Sequence, residues 1–412
     1  MDTLRHIVTG GILLLGIVFI TSVSAHYIGL IYYPPAVGNN GTLYVSGTDG
    51  ILYGLNKDGS PRWIYNAGEE LVTRAEYSDN KIFIATIEGT VIAVTETGSK
   101  AWSTRIPKQN RSIPIIAIVA GKQRIFVQTP TAVVALTTEE GSVAWRFKKG
   151  KRITGIGVGR NHIYIGVKTN SRGLLYSVTP TGDQLWRKTY TEPVDHLATN
   201  SKGSVYFETN GTVIAVSEDG SQKWRVHTGG LWREPSITNQ LVVVGTFNGR
   251  ILGIQEGKIR WEYSVGSAVA PTIGAHGRVY ATTNEVVLAV DNGSLIWRTE
   301  IGPLVLQRPT VTSNHVYIGT QLNRTYALST EGEIVWIDQY ATPFGYGVSL
   351  PEDVSVPPIL DDITREPTRI IPINMSMTDR TSMQTNPLTG ITALTILGLV
   401  ILAGILYWQR LR

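Results

Sequence analysis

The stretch GTVIAVTETGSKAW, residues 89–102, decides the fold because the chain repeats it almost letter for letter as GTVIAVSEDGSQKW at residues 211–224. Each copy contains a run of β-branched residues, then a glycine, and then a tryptophan four positions after the glycine. The glycine–tryptophan pair occurs eight times, as GSPRW (59–63), GSKAW (98–102), GSVAW (141–145), GDQLW (182–186), GSQKW (220–224), GKIRW (257–261), GSLIW (293–297) and GEIVW (332–336). Self-similarity at about 40 residues indicates a propeller or a solenoid.

Each repeat contains short apolar runs with a period of two, such as KIFIAT (81–86) and RVYATT (278–283), and turn residues separate the runs. This pattern predicts four short strands per repeat. A lone four-stranded sheet cannot cover both of its faces, whereas a closed ring of such sheets can. We therefore expect an all-β, eight-bladed β-propeller over residues 26–341. A β-solenoid is the alternative, and residues 27–33 (YIGLIYY) could add an outer strand.

The repeated glycine suits a tight turn, because it reaches positive φ at low cost. The repeated tryptophan is large and starts the outer strand of each repeat. We interpret these tryptophans as structural wedges between blades and not as a ligand site. The eight are Trp63, Trp102, Trp145, Trp186, Trp224, Trp261, Trp297 and Trp336.

The two ends of the chain differ from the repeats. Residues 1–25 have a short polar start, an apolar stretch and Val23-Ser24-Ala25, which predicts a cleaved signal peptide or a signal anchor. Seven prolines in residues 342–387 predict an extended stalk. Residues 388–408 are uncharged and long enough for a transmembrane helix, and the tail 409–412 carries two arginines. We expect a single-pass cell-membrane protein with an extracellular propeller and a cytoplasmic C-terminus.

The 412-residue chain has no cysteine and a net charge of +5. It therefore cannot contain a disulfide, a catalytic cysteine, a thiolate metal site or a lipid-modified N-terminal cysteine. The mild positive charge favours anionic partners but is far below that of a nucleic-acid-binding protein, so no nucleic acid is expected.

The repeat resembles the PQQ-type, or quinoprotein-type, β-propeller repeat over roughly residues 34–340, and residues 89–102 and 211–224 are close to its consensus. The resemblance implies a propeller. It leaves the activity open, because the family builds quinoprotein dehydrogenases as well as a non-enzymatic propeller of the bacterial outer-membrane assembly machinery. The vicinal cysteines of the alcohol dehydrogenases are missing, and their metal ligands and catalytic aspartate have no recognisable counterpart. The chain therefore looks closer to the non-enzymatic propellers, and no cofactor, metal site or catalytic residue is predicted.

Loops that join one repeat to the next should gather at one end of the central channel. They carry several arginines and Trp232, the one tryptophan of the propeller region that stands outside the repeat register. This mouth could bind an anionic ligand or a partner protein, or it could be a solvated rim with internal Arg–Glu pairs. Trp232 could contact a partner or pack under its loop. The candidate binding residues are Arg74, Arg111, Arg152, His196, Trp232, Arg233 and Arg308.

The favoured function is a membrane-anchored, non-enzymatic scaffold whose partners are other envelope or surface proteins. A module that binds glycans or anionic polymers, and a PQQ-dependent dehydrogenase, are the alternatives. N-glycosylation is possible at six Asn-x-Ser/Thr sites, namely Asn40, Asn110, Asn210, Asn292, Asn323 and Asn374.

Overall fold

The computed structural model of the chain describes residues 33–107, 115–170, 172–302, 307–320 and 324–337. Within these ranges, 32 strands form eight antiparallel four-stranded sheets, and each sheet consists of four strands that are consecutive in the chain. The predicted eight blades of four strands are confirmed.

Each blade is numbered along the chain. Blade 1 contains β1 (Ala36–Val37), β2 (Leu43–Ser46), β3 (Ile51–Leu55) and β4 (Pro61–Asn66). Blade 2 contains β5 (Glu76–Ser78), β6 (Lys81–Ala85), β7 (Thr90–Thr95) and β8 (Lys100–Arg105). Blade 3 contains β9 (Ala117–Ala120), β10 (Arg124–Gln128), β11 (Ala132–Thr137) and β12 (Val143–Lys148). Blade 4 contains β13 (Arg152–Val158), β14 (Ile163–Lys168), β15 (Gly173–Val178) and β16 (Gln184–Tyr190).

The second half of the ring has the same order. Blade 5 contains β17 (Asp195–Thr199), β18 (Val205–Thr209), β19 (Thr212–Val216) and β20 (Gln222–His227). Blade 6 contains β21 (Ser236–Ile237), β22 (Val242–Gly245), β23 (Arg250–Gln255) and β24 (Lys258–Ser264). Blade 7 contains β25 (Ala270–Ile273), a short 3₁₀ turn (Ala275–Gly277), β26 (Val279–Thr282), β27 (Val286–Asp291) and β28 (Ser294–Glu300). Blade 8 contains β29 (Thr310–Val311), β30 (His315–Gly319), β31 (Thr325–Ser329) and β32 (Ile334–Ile337).

The core lies between neighbouring blades. Successive residues of a strand point to opposite faces, so Tyr44 packs with Ile82 of blade 2 while Leu43 packs with Tyr317 of blade 8. The middle strands are therefore buried on both faces and are apolar at nearly every position, while the outer strands keep one face towards solvent.

The repeated glycine and tryptophan interlock between blades. Trp63 of blade 1 is 6% exposed, and its indole Nε1 donates to the Glu96 carbonyl in the turn of blade 2 at 2.9 Å. The glycine of that turn, Gly98, has a φ of +84°, and a Cβ there would lie 2.7 Å from the Trp63 ring. The sequence explains the glycine by its turn alone, whereas the structure adds that a side chain would strike the preceding tryptophan. The same indole-to-carbonyl bond joins Trp102 to Thr138, Trp145 to Pro180, Trp186 to Glu218, Trp297 to Thr330 and Trp336 to Lys57.

Blade 8 closes the ring against blade 1 through side chains. The Trp336 indole donates to the Lys57 carbonyl at 2.9 Å, and the Thr310 hydroxyl donates to the Pro35 carbonyl at 2.7 Å. All four strands of blade 8 come from residues 310–337, so no strand is exchanged between the ends of the described ring. The possible outer strand falls mainly on residues 27–32, outside the described residues.

The terminal predictions also fall outside the described part of the chain. This holds for the signal peptide or anchor (1–25), the stalk (342–387), the transmembrane helix (388–408) and the tail (409–412). Among the residues that the structure describes, no helix is long and apolar enough to cross a membrane.

Candidate functional site

The connections between blades lie at one end of the propeller, which we call the mouth face. Strands within a blade alternate in direction, so each connection to the next blade lies at the same end as the loop between the second and third strands. Two bridges join these segments directly, Leu71 with Thr86 and Leu231 with Thr246. The Gly-x-x-x-Trp turns are therefore at the opposite end.

Three charged residues occupy the same register position in different blades. The innermost strands of blades 2, 6 and 8 each pair one residue with the same repeat position of the neighbouring strand. The charged residue stands two positions before that paired residue. The three charged residues, Arg74, Glu234 and Arg308, therefore lie at a similar height on the channel wall. The pairs that define this position are Glu76 with Phe83, Ser236 with Val243, and Thr310 with Tyr317.

Arg74 has a carboxylate partner within its own blade. Its guanidinium contacts the Glu76 carboxylate at 2.8 Å. The charge of Glu76 raises the pKa of Arg74, and Glu234 on the opposite blade raises it further. Protein surrounds Arg74, yet about half of its side-chain surface stays accessible, which is expected for a residue that lines a channel. Blades 2 and 6 are opposite in an eight-bladed ring, so the electrostatic effect of Glu234 on Arg74 acts across the channel.

Arg308 has a different environment. Its Nη1 donates to the Pro235 carbonyl at 3.2 Å and to the Glu234 carbonyl at 3.5 Å, so the side chain spans from blade 8 to blade 6. Burial lowers the pKa of Arg308 to about 10; Glu234 opposes this shift and Arg74 adds to it. Among the described residues, no carboxylate lies within ion-pair distance of Arg308. The protein therefore compensates this cation only in part.

An aromatic patch lies beside these residues on the mouth face. Trp232 packs edge-on against Phe247, with 5.0 Å between ring centroids and an interplanar angle of 82°. The Arg233 guanidinium lies over the Trp232 ring at 5.3 Å. Phe247 stands at the tip of the β22–β23 loop and is 56% exposed. Trp232, Arg233 and Phe247 form what we call the aromatic patch.

Trp232 is half-buried within the patch, in part by its own loop and in part by Phe247. Its main-chain N–H donates to the Gly245 carbonyl at 2.9 Å, which fixes the loop against blade 6. Its indole Nε1 is buried and has no partner among the described residues. The exposed aromatic surface is therefore mainly that of Phe247, which the sequence interpretation missed. A signal was available, because the corresponding loops read TDG (48–50) and IEG (87–89), with no aromatic residue at that position.

The other predicted mouth residues do not join this group. His196 lies in an irregular part of β17 with a φ of +54°, and its Nε2 is 3.9 Å from the Glu208 carboxylate. Arg152 is exposed at the start of β13 and pairs with Lys168 in the strand ladder. Arg111 lies outside the described residues. The structure thus brings Arg74 with Arg308, and Trp232 with Arg233, and leaves the rest apart.

Three of the six possible glycosylation sites lie within the described residues. Asn210 and Asn292 are exposed in two-residue hairpin turns with φ of +48° and +46°, each followed by glycine. This geometry accounts for both asparagines without a glycan, and it leaves both side chains accessible. Asn40 is exposed in the β1–β2 loop. The remaining three sites, Asn110, Asn323 and Asn374, lie outside the described residues.

A cleft of about 340 Å³ lies at the opposite end of the propeller, far from the mouth. It is open and is lined by residues of blade 1, among them Asn40, Lys57 and Arg62. In the described ranges, no three His, Asp or Glu side chains are grouped so that they could hold a metal ion.

Comparisons with known proteins agree with this architecture. The family described as outer membrane protein assembly factor BamB matches residues 29–151, 131–272 and 268–351. The crystal structure of BamB from Moraxella catarrhalis is similar, with 17% identity, 72% of this chain and 93% of that chain covered, and a TM-score of 0.57. The computationally designed protein Ika8 is also similar, with 16% identity, 73% and 96% coverage, and a TM-score of 0.63.

No curated protein matches the chain significantly. At these identities the two structures establish a shared propeller fold and nothing further. The family match carries more, because its three segments together span most of the chain and follow the repeat recognised in the sequence. The chain therefore belongs to the PQQ-like repeat family that is described as outer membrane protein assembly factor BamB.

Proposed function

We propose that this propeller is a non-enzymatic scaffold that binds another protein of the cell envelope at its mouth face. The aromatic patch is the observation that carries the proposal. Phe247 holds an exposed aromatic ring at a loop tip, Trp232 packs edge-on against it, and the Arg233 guanidinium lies over Trp232. Aromatic residues and arginine are the side chains that most often dominate protein–protein binding energy.

The position of the patch supports this proposal. An exposed Phe side chain forgoes the free energy of burial, which is about 1.5–3 kcal/mol for a side chain of this size. The corresponding loop positions in blades 1 and 2 are Thr48 and Ile87, so the fold itself does not require an aromatic residue there. Burial against a partner explains the residue better than packing within the chain.

The family supports the same class of function. Its description names an assembly factor of the outer membrane, and the Moraxella catarrhalis relative carries the same name. An assembly factor works by contacts with other proteins, which agrees with a patch on a rigid ring. A PQQ-dependent dehydrogenase is the enzymatic alternative, since the repeat type also occurs in such enzymes. It would require a quinone and a metal ion in the channel.

We further propose that the propeller is held at a membrane. The support is the sequence alone: a signal-like segment at 1–25, and an uncharged stretch at 388–408 that Arg410 and Arg412 follow. The proline-rich residues 342–387 would then carry the propeller away from the bilayer. In this arrangement the mouth face meets proteins on the outer side of the membrane.

Site-specific photocrosslinking tests the binding proposal in native cells. A photoreactive phenylalanine at Phe247 of the full-length chain should form a crosslinked protein product, and Trp232→Ala should reduce it. Leu185 is the matched control, because it is 48% exposed on the outer strand of blade 4, away from the mouth. Equal crosslinking at both positions, or none at Phe247, would overturn the proposal. A large fall in the melting temperature of Trp232→Ala would show that Trp232 serves the fold instead.

A further inference from the structure

Arg308 is a half-buried cation, and only some of its hydrogen-bond donors have a protein partner. Of its guanidinium nitrogens, Nη1 donates to main-chain carbonyl oxygens of Glu234 and Pro235. Nε and Nη2 have no hydrogen-bond partner among the described residues, and they are not among the polar atoms that the described protein seals off. These donors therefore reach the channel, and a guanidinium matches the two oxygens of a carboxylate.

No nearby carboxylate among the described residues forms an ion pair with the Arg308 guanidinium. Glu76 pairs with Arg74 and so is engaged. The Glu234 carboxylate attracts Arg308 at longer range, and no direct ion pair forms within the described residues. Burial is the main cause of the lowered pKa of Arg308. A ligand carboxylate would form the ion pair with Arg308 that the described protein groups do not form.

We propose that the axial end of the mouth binds a carboxylate of an acidic polypeptide segment, which Arg308 receives, while the aromatic patch contacts apolar residues that flank it. This inference rests on the proposed function and names the chemistry of the partner. The ligand is an extended segment with acidic residues and a neighbouring aromatic or aliphatic residue.

The spacing of the two features fits an extended peptide. Trp232, Arg233 and Glu234 are consecutive, and Arg308 contacts the main chain of Glu234. The patch and the axial site are therefore neighbours on the mouth face, and a short extended segment, at about 3.3 Å per residue, would span them. A ligand with an apolar residue a few positions from its carboxylate would reach both.

Side chains from three blades face the channel at this height. Arg74 and Glu234 come from opposite blades and still influence each other, and Arg308 crosses between blades 8 and 6. A single extended side chain can enter such a space. Exposed Phe247 suits an apolar residue beside the carboxylate that Arg308 receives, and an acidic peptide supplies both groups, so we favour it over an acidic glycan or a quinone.

Fluorescence anisotropy with the purified full-length chain tests the proposal. The probe is a fluorescein-labelled peptide Phe-Gly-Glu-Glu-Glu-amide, and the matched peptide is Phe-Gly-Gln-Gln-Gln-amide. The glutamate peptide should bind at least about tenfold more tightly, because a charge-assisted bidentate hydrogen bond is roughly twice as strong as a neutral one. Raising the salt concentration should weaken this binding.

Variants of Arg308 and of Glu234 should change the affinity for the glutamate peptide in opposite directions. Arg308→Gln should weaken binding of the glutamate peptide about tenfold or more, whereas Arg308→Lys should retain part of it. Glu234→Gln should strengthen binding several-fold, because it removes a competing carboxylate and keeps the main-chain carbonyls that hold Arg308. Arg152→Gln is the matched control: it removes an exposed arginine from the same end of the propeller, and it should leave binding unchanged.

Several results would overturn the inference. They are equal binding of the two peptides, unchanged binding by Arg308→Gln, or weaker binding by Glu234→Gln. Tighter, Arg308-dependent binding of oligogalacturonate would replace the peptide by an acidic glycan. Displacement of the peptide by pyrroloquinoline quinone with Ca²⁺ would favour the dehydrogenase. If Arg308→Gln does not fold, Arg308→Lys and Glu234→Gln decide.

The two proposals can fail separately. Crosslinking at Phe247 together with peptide binding that ignores Arg308 would leave the scaffold standing and remove the carboxylate site. Arg308-dependent peptide binding without a crosslink at Phe247 would leave the carboxylate site standing and remove the scaffold proposal.

Discussion

Replacement of Gly98 by alanine should destabilise the propeller through two separate effects. Gly98 has a φ of +84°, and a Cβ there would lie 2.7 Å from Cδ2 and 2.8 Å from Cγ of Trp63. The left-handed backbone costs about 1–2 kcal/mol for a residue with a Cβ. Overpacking adds about 1–3 kcal/mol, because buried Trp63 is held by its bond to the Glu96 carbonyl and cannot move aside.

The free energy of unfolding of Gly98→Ala should therefore fall by about 2–5 kcal/mol. Urea denaturation followed by tryptophan fluorescence measures this loss. Gly68→Ala is the matched control, because Gly68 has a φ of +74° and a Cβ there would meet nothing within 4 Å. The control should lose only the backbone share, about 1–2 kcal/mol.

A double variant isolates the steric share. With Trp63→Leu as the background, the ring that Cβ would strike is gone, so Gly98→Ala should cost no more than Gly68→Ala. Equal losses for Gly98→Ala and Gly68→Ala in the unchanged background would refute the interlocking of glycine and tryptophan between blades. The positive φ of the turn would then be the sole reason for glycine at this repeat position.

Three further outcomes follow from the same structure. Trp336→Phe should lower the free energy of unfolding by about 1 kcal/mol in urea denaturation, because it removes the donor to the Lys57 carbonyl across the ring closure. Arg308→Met should raise the melting temperature at neutral pH, because burial places the pKa of folded Arg308, about 10, below its unfolded value. The cation therefore disfavours folding at neutral pH, and this penalty begins to fall only as the pH rises above about 10. The hydrogen bonds from Arg250 lower the pKa of Glu262, so this pair should stabilise the fold at neutral pH and lose that contribution as the pH falls below the ordinary range of a glutamate. Arg250→Gln should reduce the difference in urea midpoint between pH 7 and pH 3.5, and an unchanged difference would contradict the assignment.

The sequence predicts the fold far better than it predicts the candidate site. Arg74 and Arg308 could be placed near the mouth, since the repeat register marks the start of each inner strand. That Arg74 is paired with Glu76 while Arg308 has only carbonyl partners could not be predicted, because the rotamers of long side chains depend on neighbours from other blades. The exposure of Phe247 could not be predicted either, because a single aromatic residue in a loop can pack inward or face solvent.

The number of blades, the order of strands and the glycine turns are determined by the sequence itself. Each depends on patterns within about 40 residues: the period of two, the turn residues and the fixed spacing from glycine to tryptophan. Only the tertiary structure decides which residues meet across the ring. Closure brings Arg74, Glu234 and Arg308 together from three separate blades, and it sets each tryptophan against the glycine of the next blade. These contacts depend on the curvature and width of the closed ring, which no single repeat encodes.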